Sequence, residues 1–283
     1  MPGYDLHTHT DLSDGTTTPE DNVRDALELG LEGLGVTDHD TTAPIARAHA
    51  AAGGSGLEIV GGTEFSAELA GRSVHVLGYW IDPDDQPLQA EMDRLRNERE
   101  HRAEAIVARF GDLGVQVTMT RVRELAGTAP IGRPHIAAAV VETGAAATIR
   151  EVFDTWLADG GPAYVPKHAV DPTTAVRLLV AAGGVAVLAH PGLYGAREAG
   201  QVDEPGIAET AVEEMAAAGM AGIEADHPDH PELQRRRYRD LARALDLEVT
   251  AGSDYHGERK TNRLGSATTS RAVVERLRAR ARH

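Results

Sequence analysis

The sequence predicts an α/β chain in which a β/α barrel, closed or nearly closed, is interrupted by a helical insertion. Roughly seven strand-like segments alternate with helical ones, which fits a barrel better than an open sheet. Most of these strands end in a histidine or a carboxylate, as expected where strand ends form an active face. Between about residues 86 and 162 the character changes: Gln89 to Phe110 is long and highly charged, with Met92, Leu95, Ile106 and Val107 at helical spacing. The expected organisation is a first barrel part at 1–85, a helical insertion at 86–162 and a second barrel part at 163–283.

The opening strand, Tyr4 to His9, presents His7 and His9 to one face, because side chains two apart on a strand point the same way. Asp14 follows in a loop of Thr, Ser and Gly, close enough to add a hard oxygen ligand. Thr18-Pro19-Glu20-Asp21 reads as an N-cap, a proline at the first helical position and an acidic first turn. The helix it starts runs to Leu29 and stops at Gly30. Leu34 to Thr37 is the next strand and ends in Asp38-His39-Asp40; a helix over 42–52 and a strand at Leu57 to Val60 then lead to Glu64. Ser73 to Trp80 is a strand with His75 inside it.

Within the insertion, helical pieces at 122–126, 134–142 and 148–158 are separated by Gly- and Pro-containing breaks. Gly132-Arg133-Pro134-His135 stands at a helix start. It is either an anion site, using free N–H groups and the guanidinium, or an ordinary capping turn with a solvated Arg. Beyond it, a helix at 172–182 precedes the strand Val185 to Ala189, which ends in His190-Pro191-Gly192. A helix near 207–218 leads to Gly222 to Ala225, ending in Asp226-His227-Pro228-Asp229-His230. A last helix, 232–245, leads to Leu247 to Thr250 and then to Gly252-Ser253-Asp254-Tyr255-His256.

The 283 residues contain no cysteine, so disulfides, thiolate zinc sites and cysteine nucleophiles are excluded, and any metal must be held by histidine and carboxylate. A formal net charge of −16 argues against a general grip on long nucleic acids, while suiting carboxylates that await divalent cations. No apolar run approaches the ~18 residues of a membrane span and no leader pattern is visible, so a cytoplasmic protein without a membrane or obligate protein partner is expected. Nine candidates, His7, His9, Asp14, His39, Glu64, His75, His190, Asp254 and His256, exceed the ligands of one catalytic zinc. Two or three divalent ions, with manganese, zinc and iron all suited, are implied, and hydrolysis by metal-activated water is the natural chemistry.

The motifs His7-Thr8-His9, Thr37-Asp38-His39, Gly62-Thr63-Glu64, Ala189-His190-Pro191 and Gly252 to His256 resemble the PHP (polymerase and histidinol phosphatase) family. Gly132 to Ala137 and Ile223 to His230 are similar to its stand-alone phosphoesterases acting on nucleoside 3′,5′-bisphosphates and short oligonucleotides. The resemblance implies a distorted (β/α)7 barrel with a trinuclear site. One metal would be held by His7, His9, Glu64 and Asp254, with Glu64 bridging to a second held by His75 and His190. Asp14, His39 and His256 would hold the third, and Arg133 would bind the substrate phosphate with His135 beside it.

Asp38 either orients a ligand imidazole or caps the next helix. Lys167 and His168 could reach a phosphate or be solvated loop charges, and His227 or His230 would protonate the leaving oxygen or bond within their own loop. The expected function is hydrolysis of a small phosphorylated compound, with the 3′-phosphate of a nucleoside bisphosphate or short oligonucleotide preferred. Alternatives are a histidinol-phosphate phosphatase, a non-catalytic metal-binding module and an amidohydrolase using the same metals.

Overall fold

The computed structural model describes residues 3–127, 131–158, 160–166, 169–194 and 206–282. The chain divides into two compact units, one of Met1–Met92 with Ala169–His283 and one of Asp93–His168.

The first unit is built on one seven-stranded sheet in sequence order: β1 (Tyr4–Asp5), β2 (Gly33–Val36), β3 (Glu58–Leu69), β4 (Arg72–Tyr79), β5 (Val185–Leu188), β6 (Gly222–Glu224) and β7 (Glu248–Thr250). Helices α1 (Pro19–Glu28) and α2 (Pro44–Ala52) separate the first three strands. The predicted cap of α1 is present: the Thr18 hydroxyl accepts the Asp21 N–H at 3.1 Å while the Thr18 N–H donates back to the Asp21 carboxylate. Apolar residues of these helices, among them Val23, Ala26 and Ala48, bury against Leu34, Val36 and Ile59.

Two features depart from a regular alternation of strand and helix. β3 and β4 are joined by Ala70-Gly71 alone, both at positive φ (51° and 79°), so β4 must run antiparallel. It is antiparallel to β5 as well, whereas the remaining pairs are parallel. The opening strand is also shorter than its sequence suggests. After Asp5 it leaves the ladder, and near the other edge Thr8 bridges Tyr255, with the His9 N–H donating to the Tyr255 carbonyl at 2.9 Å. That bridge closes the distorted barrel.

Helices α7 (Pro172–Ala181), α8 (Glu209–Ala217) and α9 (Glu232–Ala244) accompany β5 to β7. The sequence reading missed α10 (Arg271–Arg278), whose Val274 and Leu277 join Tyr4, Leu6, Val60, Tyr79 and Val187 in a buried cluster. The run is rich in arginine, yet Val273, Val274 and Leu277 fall on one face at helical spacing, an amphipathic signal that the sequence did carry.

The second unit is helical. The later part of α3 (Gln86–Asp112), α4 (Met119–Ala126), α5 (Arg133–Glu142) and α6 (Ile149–Val152), with a π-helical turn at 153–157, enclose Ile106, Phe110, Val122, Ile136, Val140 and Leu157. No helix among the described residues is long and apolar enough to cross a membrane.

A Cβ added at Gly62 would lie 2.0 Å from the Gly78 carbonyl oxygen on the paired strand. We expect Gly62→Ala to cost about 2–3 kcal/mol and lower Tm by roughly 4–12 °C. Gly111, where an added Cβ meets nothing within 4 Å, serves as the control. An equal Tm for both variants by circular dichroism would refute tight pairing of β3 and β4.

Candidate metal centre

Glu64 is the centre of the site. It lies inside β3, not in a loop beyond a shorter strand, and it is 1% exposed. Its Oε1 stands 2.9 Å from His75 Nδ1 and 2.9 Å from His190 Nε2. Its Oε2 stands 3.2 Å from His7 Nε2, 3.1 Å from His9 Nε2 and 3.3 Å from His39 Nδ1. The hairpin explains how His75 arrives: Ser66 pairs with His75, so His75 projects on the face shared by Ser66 and Glu64.

Asp254 Oδ1 is 3.5 Å from both His7 Nε2 and His9 Nε2, which are themselves 3.1 Å apart. Asp14 Oδ1 lies 3.2 Å from His256 Nε2 and 3.5 Å from His9 Nδ1. Donors about 2.0–2.2 Å from one ion stand roughly 3–3.5 Å apart, the spacing seen here. Among the described residues, three groups have donor atoms within 4.8 Å of one another: His7, His9, Glu64 and Asp254; His9, Asp14, His39 and His256; and His39, Glu64 and His75. His9 and His39 are thus each shared between two groups. The ligand sets implied by resemblance place each histidine in one set only.

The donors are held from behind. Glu224, fully buried at the end of β6, accepts from His7 Nδ1 at 3.0 Å and from the His190 N–H at 2.9 Å. This fixes the His7 tautomer and turns Nε2 towards Glu64 and Asp254. Asp38 neither orients an imidazole nor caps a helix: its Oδ1 accepts from the Thr10 N–H and hydroxyl and from Ser13 Oγ at 2.7–3.0 Å, clamping the loop that carries Asp14. Asp5 accepts the Ser253 and Gly265 N–H groups at 2.9 and 2.8 Å, tying the first strand to the loop of Asp254. His190 and Asp254 sit at φ 24° and 54°, a conformation non-glycine residues adopt only where their surroundings enforce it.

The electrostatics fit cations. Burial pulls the His7 and His9 imidazoliums down, yet neighbouring carboxylates outweigh it: Glu224, Glu64 and Asp254 raise His7 well above its usual range, and Asp254 and Glu64 raise His9 to about 9. Burial would raise Glu64 and Asp254, but the surrounding imidazoles hold both far below the ordinary carboxylate range. Burial dominates at His39 and His190, which are lowered and neutral. Protons on His7 and His9 therefore balance the carboxylates, a role divalent ions fill better. Nδ1 of His9, His39 and His75 is buried without a hydrogen-bond partner, the condition of donor atoms made for a ligand.

The other anticipated residues fall as follows. His227 is fully buried; its Nδ1 accepts the Asp229 N–H at 3.1 Å and its Nε2 faces Asp254 Oδ2 at 3.4 Å. Both nitrogens of His230 are taken by backbone, Nδ1 by the Ala225 carbonyl and Nε2 by the Gly192 N–H. In the second unit, Arg133 opens α5 with its guanidinium 5.6 Å from the Phe153 ring, and His135 Nδ1 accepts the Gly132 N–H at 3.1 Å. Lys167 and His168 lie outside the described residues. Sequence reasoning gave no role to Glu224, to Tyr194, whose hydroxyl accepts the His75 N–H at 2.8 Å, or to Lys260, which pairs with Asp254. A carboxylate closing an apolar strand was the available signal for Glu224. Tyr194 and Lys260 left none.

A barrel-like sheet whose strand ends gather histidines around a shared, buried carboxylate is the donor arrangement of a metal-dependent hydrolase. The PHP domain family profile matches residues 5–116, and the chain belongs to that family. It is 35% identical to phosphoribosyl 1,2-cyclic phosphate 1,2-diphosphodiesterase of Eggerthella lenta, over 90% of this chain and 94% of that one. It is 33% identical to 3′,5′-nucleoside bisphosphate phosphatase of Chromobacterium violaceum, over 90% and 88%. It is 32% identical to the 5′-3′ exoribonuclease Rnm of Salmonella typhimurium, over 89% and 85%. Among solved structures, a Bifidobacterium adolescentis protein provisionally assigned as a metal-dependent phosphoesterase superposes with a TM-score of 0.76 at 33% identity, covering 100% of this chain and 97% of that one.

Two outcomes follow from the charge balance. A raised histidine contributes stability that is complete below pH 6.5 and lost as pH climbs through about 9, so metal-free protein should lose Tm across that window. The lowered His39 and His190 make it lose Tm below about 6.5 as well. Divalent ions, binding deprotonated ligands, should abolish the alkaline loss and steepen the acid one. Identical Tm–pH curves with EDTA and with manganese would refute the site. Separately, Glu224→Gln should weaken metal binding about 10–100-fold by calorimetry.

Proposed function

We propose that this chain hydrolyses a small phosphorylated substrate, with the 3′-phosphate of a nucleoside 3′,5′-bisphosphate or short oligonucleotide as the preferred one, using two or three divalent ions. The observation that carries the reading is Glu64, whose two oxygens face five imidazoles from four strand segments at 2.9–3.3 Å. A carboxylate so placed would be able to serve two ions at once. His7, His9, Glu64 and Asp254 would hold one, Glu64 with His75 and His190 a second, and Asp14, His39 and His256 a third; manganese, zinc and iron all suit such donors. Bound there, divalent ions bring the pKa of water from ~15.7 towards ~7 and draw charge from phosphoryl oxygens.

The protein's own groups do the rest. Glu224 holds His7 and the His190 backbone in register, and the clamp at Asp38 holds the Asp14 loop. His227, with Nδ1 occupied as an acceptor, keeps its proton on Nε2 towards Asp254 and is the proposed donor to the leaving oxygen; His230 has no nitrogen left for that role. Arg133 is proposed as a phosphate contact, its fork of donors suiting an anion whose charge grows during reaction. His135 supports it by capping the start of α5, and Lys167 remains a proposed phosphate contact.

The substrate preference is supported by the Chromobacterium relative's bisphosphate activity and by the net charge of −16, which disfavours long polyanions. A second reading, opening of a cyclic phosphodiester, is favoured by the 35% identity to the Eggerthella enzyme. Histidinol phosphate is the remaining competitor within the class.

The deciding experiment measures phosphate release by manganese- and zinc-loaded protein from adenosine 3′,5′-bisphosphate, AMP, histidinol phosphate, ribose 1,2-cyclic phosphate 5-phosphate and RNAs of graded length. Preference for the bisphosphate is expected, with His9→Ala reduced to background and Arg133→Ala slowed about 10²–10³-fold. Preference for the cyclic diester or for long RNA would replace the proposed substrate.

A further inference from the structure

Asp254 divides its two oxygens. Oδ1 faces His7 Nε2 and His9 Nε2 at 3.5 Å and His256 Nδ1 at 3.4 Å, while Oδ2 accepts from Lys260 Nζ and faces His227 Nε2 at 3.4 Å. The loop that brings the lysine is tied down on both flanks. The Glu258 N–H donates to Thr16 Oγ1 at 2.9 Å, and the Asn262 side-chain amide donates to Asp229 Oδ2 at 3.2 Å in the loop after β6. Gly257, at φ 66°, allows the turn: a Cβ added there would lie 2.0 Å from Thr16 Oγ1.

As a mere counter-charge the lysine is superfluous, since four imidazoles already surround this carboxylate. Its exposure points elsewhere. Asp254 is 2% exposed and Lys260 40%, so the side chain reaches from solvent down to a buried ligand atom. An ammonium has three N–H donors, and among the described residues only Asp254 accepts from this one. Two donors are left for a group arriving from outside. Arg259, Lys260 and Arg263 also fall within five residues of a chain whose net charge is −16, and positive charge gathered at a cleft draws anions in. A phosphoryl group has several oxygens to place, and lysine binds phosphate as a point charge beside whatever else holds it.

We propose that Lys260 is a further phosphate contact, supplied by the barrel unit, which keeps one N–H on Asp254 and gives the other two to oxygens of a phosphoryl group held at the ions. Sharing an Asp254 oxygen with His227, it stands on the side of the proposed proton donor. The inference rests on the metal-centre reading above and is independent of which phosphoester is cleaved.

The test is calorimetric titration of inorganic phosphate into the full chain at saturating manganese. Lys260→Met, which keeps the length of the side chain, should bind phosphate roughly tenfold more weakly with unchanged Tm, and Lys260→Arg, which keeps the charge, should stay within about threefold of the parent. Manganese affinity, titrated separately, should differ by no more than about threefold between Lys260→Met and the parent, because the imidazoles facing Oδ1 are untouched. Phosphate binding indifferent to Lys260→Met would overturn the proposal. So would a loss matched by an equal loss of manganese affinity, which would reduce Lys260 to a residue that positions Asp254. Failure of the substrate reading looks different: none of the phosphoesters is cleaved, while inorganic phosphate still separates Lys260→Met from the parent.

Discussion

Glu64 is a charged group buried to 1% exposure, and in that setting a carboxylate is costly unless every lone pair is matched. Five imidazoles match it here. The hairpin of β3 and β4, the bridge between the Thr8 and Tyr255 segments, and the left-handed turn at His190 all serve to bring those rings to one carboxylate. Remove the carboxylate and the histidines face one another with no counter-charge. Remove the histidines and a buried anion has no partner.

The same economy explains the outer layer. Glu224 sits behind His7 and His190, Asp38 behind the Asp14 loop and Asp5 behind the Asp254 loop, each fully buried and each accepting at least two hydrogen bonds. None of the three is a donor to the ion groups themselves. Their work is to fix tautomers and loop positions, so that the candidate donor atoms stand at the spacing that an ion would require. The non-catalytic alternative loses its ground on the same evidence. All nine donor positions hold competent residues, and relatives spanning most of the chain are named as a diphosphodiesterase, a phosphatase and an exoribonuclease.

Much of this was legible in the sequence. Strand ends carrying His-Thr-His, Asp-His, Ala-His-Pro and Ser-Asp-Tyr-His advertise themselves, because a period-2 strand aims alternate side chains together and because polar residues at the ends of apolar runs stand out. Less legible was the antiparallel β4, since Ala-Gly is a weak hairpin signal beside Asn-Gly. The role of Asp38 was misread for a related reason. Its partners, Thr10 and Ser13, are more than twenty residues away, and no local pattern joins them.

By itself, then, the sequence determined the donor types, the absence of thiol chemistry and the alternation that makes a barrel, all of which are properties of composition and short-range period. Only the tertiary structure decided that His9 and His39 are each shared between two donor groups, that His230 is spent on backbone and that Glu224 stands behind His7. Those are statements about which atom of a side chain meets which other atom across as many as 217 residues of chain. They depend on register, turn conformation and burial together, and spacing along the chain carries no record of them.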